Sequence, residues 1–304
     1  ENYDQLAQSM ASLPAGLSEL IEQCLNENPQ LRPESVEEVR FSLLKALKGA
    51  HLNPSQKAEA KAAIGKAADN FELLDVINRC QYGAVYLFED KLRHNLLVVK
   101  KRVKSLNGYE QARKLHHLDH QHLIRILGSS KNDKAFIVVM EYLTGGSLQE
   151  RLSRPFSEVR FVCIALAVCQ AMQLAHQNHI IHGNLRPSNI LFNDKDEVKI
   201  TDFGFDNHYL DQQPGDWYHT NDSKPASAGD DMVSAGLIFY QMLTGCESKL
   251  ANDQLKKNKN FDALSIPLQT LLKGMLETRV SGHHQQFSDL IPLLNHAQAV
   301  LTNK

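Results

Sequence analysis

A polar loop lodged between apolar residues constrains this chain most: Ile181-His182-Gly183-Asn184-Leu185-Arg186-Pro187-Ser188-Asn189-Ile190-Leu191. A strand-like run follows and ends in Ile200-Thr201-Asp202-Phe203-Gly204. Core packing explains an Asp ahead of Phe-Gly poorly. A carboxylate in that position suits a metal ion or a lysine partner.

The chain around this loop has two textures. From Phe71 onward, short β-branched or aromatic runs alternate with polar turns: Val85-Tyr86-Leu87-Phe88, then 96–99, 123–127 and 136–140. Each reads as a strand, and 106–118 between them has helical character. Beyond Gly146 the pattern turns helical, with a long apolar helix over 158–177 and another over 231–243. The expected fold class is α+β, a β-rich small lobe (70–143) followed by a helical large lobe (144–304), preceded by a helical extension.

Composition excludes some functions. The formal net charge is −2, without the basic stripe of a nucleic-acid or membrane-surface binder. The longest apolar run, 161–174, falls short of the about 18–20 residues of a bilayer span. The five cysteines, Cys24, Cys80, Cys163, Cys169 and Cys246, include no C-x-x-C pair; a reduced, cytoplasmic compartment is the natural reading. No signal peptide is visible, and a chain that starts at Glu1 is read as processed or cut from something longer.

An internal repeat favours the second. Residues 12–25 (SLPAGLSELIEQCL) and the NENPQLRPESVEEV after them match 265–276 (SIPLQTLLKGML) and the following ETRVSGHHQQFSDL. Both copies read as a helix, a polar loop and a second amphipathic helix. Residues 51–69 are Ala- and Lys-rich with a helix-start signal at Asn53-Pro54-Ser55, as in a solvated connector helix.

Taken together, the motifs resemble the protein-kinase family over roughly residues 70 to 300. Val98-Val99-Lys100 stands for its V-A-I-K strand, Met140-Glu141-Tyr142 and Gly145-Gly146-Ser147-Leu148 for its hinge, and 182–189 for H-R-D-L-x-x-x-N. Asp202-Phe203-Gly204 stands for D-F-G, and Asp231 with Gly236 opens the later helix. The resemblance implies that Lys100 holds ATP phosphates, that Asn189 and Asp202 ligate Mg²⁺, and that Gly83, Val85, Val98, Glu141 and Leu191 line the nucleotide site. Residues 1–50 then resemble the end of a preceding kinase domain, with N-P-x-x-R-P at 28–33. An adjacent kinase domain, or self-association through these helices, is the partner expected.

The departures bear on activity. Asn184 stands at the catalytic aspartate position, and a neutral amide cannot take the substrate hydroxyl's proton. Gly183 replaces the arginine that pairs with a loop phosphate in many kinases. Asn78 and Cys80 replace two phosphate-loop glycines, and Cys80 reads as a small-residue substitution or a reactive thiol. Val98 narrows the base slot, and Met140 lies at the gatekeeper position. In the helix after Lys100, Gln111 falls at the glutamate position. Glu110 beside it points about 100° away unless the register slips. Residues 218–222 stand in place of A-P-E, and the arginine that would pair with its glutamate is Arg32 in the first repeat but His283 in the second. The framework column, Leu115, Ile126, Phe203 and His182 on Asp231, keeps its residue types.

A pseudokinase acting as a regulatory or scaffolding module, with at most weak ATP and Mg²⁺ binding, is the leading expectation. A low-activity Ser/Thr kinase is the alternative. Small-molecule phosphotransferases share a His-Gly-Asp-Leu…Asn loop, but they too would need an aspartate at Asn184. His116, His117, His120 and His122 invite a metal site, against which stands the absence of a third ligand type nearby in sequence.

Overall fold

The computed structural model describes residues 13, 15–49, 52–103, 107–205, 226–247, 250, 251, 254, 255, 257–276 and 286–302. The chain divides into two compact units, 1–101 and 102–304.

The first unit opens with α1 (Ala15–Cys24), a 3₁₀ turn at Pro29–Leu31 and α2 (Val36–Gly49). Next come α3 (Pro54–Ile64), a 3₁₀ segment, β1 (Phe71–Cys80) and β2 (Gly83–Asp90). A helix lies where the solvated connector was expected, but it packs on β1 with Ala60 and Ala63 buried; its start has a clear cause. Asn53 and Gln56 exchange side-chain and backbone hydrogen bonds of 2.9 Å each, with Pro54 in the first turn. The β1–β2 register runs from Phe71–Asp90 to Cys80–Gly83 and leaves Gln81 and Tyr82 as the turn. Tyr86, Leu87 and Phe88 are consecutive and all buried, so β2 is covered on both faces. Helices α2 and α3 both pack on β1. Lys45 of α2 bridges Glu72 at 3.1 Å and Glu89 at 3.0 Å, and Arg79 pairs with Glu59 of α3 at 2.7 Å. Glu89 is buried; Lys45 supplies the compensating charge it needs there. Burial pulls the Lys45 ammonium down, but its two carboxylate partners outweigh that and hold it above its ordinary value.

Strand β3 (Asn95–Val103) joins the two units through the chain. The small-lobe sheet has five strands in the order β1-β2-β3-β5-β4, where β4 is Ile126–Lys131 and β5 is Ala135–Glu141. The expected strand over 123–127 is a correction: the ladder begins only at Ile126, and Leu123 makes a single bridge to Ile200. The helix expected over 106–118 is α4, Tyr109–Leu115, and residue 106 lies outside the described residues.

The rest of the second unit is helical, as anticipated: α5 (Leu148–Arg151), α6 (Glu158–Gln177), α7 (Ala228–Thr244), α8 (Lys259–Asp262), α9 (Ile266–Leu276) and α10 (Phe287–Thr302). Between α6 and α7 lies a small hairpin of β6 (Ile190–Phe192) and β7 (Val198–Ile200). A two-stranded ladder, β8 (Leu250–Ala251) with β9 (Gln254–Leu255), precedes α8. Helix α7 is buried all round from Asp231 to Thr244, the mark of a central helix. Ser227 and Asp230 form its capping box, and Gly245, at φ 69°, closes it. Helix α6 spans the expected 158–177 and so extends beyond the apolar run 161–174. Its 20 residues are enough, by length and composition alone, to cross a membrane. It is packed instead as a core helix against α7 and α10.

Candidate functional site

Asp231, at the start of α7, organises the central loop. Its carboxylate accepts the backbone N–H of His182 and of Gly183, each at 2.8 Å, and lies 2.9 Å from His176 Nε2. The first turn of a helix favours a carboxylate there. The His182 and Phe203 rings stack with centroids 4.4 Å apart. Leu115, Ile126, Phe203 and His182 are all buried, so every member of the expected column lies in the core. Gly183 sits at φ +67°, and a Cβ on it would come within 2.9 Å of Ala226 Cβ. The loss of an arginine is therefore built into the backbone conformation.

Burial pushes the His182 imidazole below its ordinary value, although Asp231 and Asp202 pull it up. The unfolded chain then takes up a proton below about pH 6.5 that the folded chain refuses, so stability is full above that pH and is lost below it. Urea unfolding should show stability falling below pH 6.5 by up to about 1.4 kcal/mol per pH unit from this group. His182→Phe should flatten that slope.

Asn184 lies beside this column and is only 1% exposed. Its Nδ2–H donates to the Phe205 carbonyl at 2.9 Å, and its buried Oδ1 has no hydrogen-bond partner among the described residues. A carbonyl partner requires the amide nitrogen, which fixes the orientation of the side chain. The amide therefore holds the backbone after Asp-Phe-Gly. Asn189 is also buried and donates Nδ2–H to the Asn184 carbonyl at 2.8 Å. Asp202, half-buried, adopts a left-handed φ of 68° and accepts a hydrogen bond from the Thr201 hydroxyl at 3.2 Å. Left-handed backbone in a non-glycine residue is strained and clusters at functional sites. The Asn189 amide oxygen and the Asp202 carboxylate are oxygen donors of the kind that Mg²⁺ takes.

Leu191 is half-buried in β6 between buried Ile190 and Phe192, facing away from the core that they fill. Glu141 is at the end of β5, but its side chain is committed elsewhere: Oε1 accepts from the Arg125 N–H at 2.8 Å and from Lys199 Nζ at 2.6 Å. Any part it takes in binding a base must come from its backbone. Met140 is buried, with the Thr201 hydroxyl 3.8 Å from its sulfur.

The helix register is also settled. Glu110 is exposed and paired with Arg113 at 3.2 Å. Gln111 lies over Gly204, where a Cβ would meet its side chain at 2.6 Å. A neutral amide thus occupies the position beside Asp-Phe-Gly. Phe205 is a residue beside this loop that the motifs missed. Its ring is buried, 6.1 Å from that of Phe136, and lies where a Cβ on Gly108 would meet it at 3.0 Å. The one available signal was an aromatic directly after Asp-Phe-Gly.

In the first unit, Val85 and Val98 are buried on β2 and β3, Gly83 closes the hairpin turn opposite Cys80, and Lys100 is half-buried on β3. Cys80 is partly exposed. Residues 218–222 and His283 lie outside the described residues. The histidines are held by backbone: His116 Nδ1 lies 2.9 Å from the Ile126 carbonyl, and His122 Nδ1 lies 2.9 Å from that of Val198. Among the described residues no cluster of three metal-ligating side chains occurs.

A family model described as "Protein kinase domain" matches residues 71–297. "Cyclin-dependent kinase G-1" of Oryza sativa subsp. indica is 28% identical over 69% of this chain and 34% of its own length. "Aurora kinase" of Dictyostelium discoideum is 24% identical over 75% of this chain and 65% of its own. "cAMP-dependent protein kinase type 3" of Saccharomyces cerevisiae is 27% identical over 63% and 52%. The chain thus spans from a third to just under two thirds of the length of these relatives.

Proposed function

This chain belongs to the protein kinase family, and we propose that it is a pseudokinase, a regulatory or scaffolding module with at most weak nucleotide binding. One observation carries the reading: the side chain at the catalytic aspartate position is a buried amide donating to the Phe205 carbonyl. Phosphoryl transfer requires a group that receives or orients the attacking hydroxyl, and loss of such a base typically costs about 10²–10⁴ in rate. Asn184 cannot accept a proton. Gly183 and Gln111 add to the loss, because neither can form the ion pair made by its family counterpart.

The alternative, a low-activity Ser/Thr kinase using ATP and Mg²⁺, draws its support from Asn189 and Asp202. Both oxygen donors remain, and Mg²⁺ held there would neutralise phosphate charge. Lys100 would add a cation to the phosphates. Against tight binding stand Asn78 and Cys80, whose side chains keep the backbone N–H groups away from phosphates, and Val98 beneath the base.

Calorimetric titration with ATP, with and without Mg²⁺, tests the binding half of the proposal. The expected dissociation constant is on the order of tens of micromolar or weaker. Lys100→Ala and Asp202→Ala should each abolish whatever binding is seen. Submicromolar affinity, or binding that survives both substitutions, would refute it.

A further inference from the structure

We propose that the exposed face of α1 and α2 is the seat of a second kinase-fold large lobe, one without closing helices of its own, carried upstream in the same polypeptide. The two helix-loop-helix segments superpose in sequence without a gap. A constant offset of 251 residues carries Leu20 onto Leu271, Cys24 onto Met275, Leu25 onto Leu276, Val36 onto Phe287 and Leu43 onto Leu294. The apolar pattern is therefore the same, but its covering is not. In the second copy all five positions are buried. In the first, Leu25 is 64% and Val36 84% exposed, Leu43 and Cys24 are exposed, and only Leu20 is buried.

What covers the second copy identifies what the first copy lacks. Leu276 and Met275 lie so close to Gly236 of α7 that a Cβ there would meet them at 2.7 and 3.1 Å. The Phe287 ring lies 5.3 Å from that of His176 on α6. A pair of helices like α6 and α7 thus forms the complement of this pattern, with a glycine where the closing helix presses in. On α1 and α2 other positions are already packed. Gly16 meets Ala46 between the two helices, and Lys45 faces Glu72 and Glu89. The exposed Cys24, Leu25 and Val36 match Met275, Leu276 and Phe287, which α7 and α6 cover in the second copy. Large exposed apolar residues at adjoining positions mark an interaction surface.

Cys24 lies on this face and reports on it. Site-resolved labelling with N-ethylmaleimide compares the 304-residue protein with the complete polypeptide encoded by its gene, using exposed Cys163 and Cys246 as references. In the 304-residue protein Cys24 should label as fast as the references. In the complete polypeptide it should label at least about tenfold more slowly, and Leu25→Glu with Val36→Glu should restore fast labelling of Cys24 while Cys163 and Cys246 are unchanged. Equal rates in both proteins would overturn the proposal. So would failure of the double variant to release Cys24, or an upstream sequence without a kinase-like large lobe. Protection that grows with the concentration of the 304-residue protein itself would assign the face to self-pairing instead.

Discussion

Asn184→Asp is expected to destabilise the protein by about 2–3 kcal/mol and to restore no phosphate transfer. The substitution looks like a repair, because it returns a carboxylate to the loop. In this structure it removes the Nδ2–H that the Phe205 carbonyl accepts and puts a carboxylate oxygen against that carbonyl. It also places charge at a site where the amide Oδ1 already lacks a partner among the described residues. A buried, uncompensated carboxylate costs more than the lost hydrogen bond and drives its own protonation. The loss should accordingly be greatest at neutral pH and shrink in acid, where a carboxylic acid can again donate to the Phe205 carbonyl. Thermal unfolding of the variant at two pH values checks both parts; a variant as stable as the parent at neutral pH would contradict the assignment of Asn184 as an inward donor.

Asp231→Ala should have the larger effect, about 4–5 kcal/mol. It strips the acceptor from two backbone N–H groups, those of His182 and Gly183, and the partner from His176. That is a large part of the about 5–15 kcal/mol of a typical folded domain, and the stack of His182 on Phe203 rests on the same loop. Asp231→Asn keeps one oxygen acceptor and should cost roughly half as much. Hydrogen exchange at the His182 and Gly183 amides reads the effect locally. Unchanged protection in Asp231→Ala would show that the loop does not depend on this carboxylate.

The lobes and the loop were legible because their signals are local. The apolar continuity of 158–177 and of 231–243 has no solution but buried helix, and both helices formed. Asn53-Pro54 announced α3 through a cap that needs no tertiary partner. The run 123–127 misled because apolar β-branched residues next to a turn look alike whether they pair or merely plug the core; Leu123 and Ile124 are buried outside any named strand. At the site, motif spacing gave the positions of Asn184, Asn189 and Asp202 but not their orientations. Which way the Asn184 amide turns depends on the Phe205 carbonyl, twenty-one residues on. The choice between Glu110 and Gln111 was likewise undecidable from periodicity alone, since the two are adjacent. It was fixed by the packing of Gln111 on Gly204 and the pairing of Glu110 with Arg113.

Phosphate transfer from ATP tests the central claim most directly. Purified protein is incubated with ATP and Mg²⁺ or Mn²⁺, with a generic protein substrate and alone, beside its Asn184→Ala variant, and intact masses are followed. The account predicts the same background incorporation in both proteins, because Asn184 supplies no base. Robust incorporation by the parent that falls by about 10² or more in Asn184→Ala would contradict it.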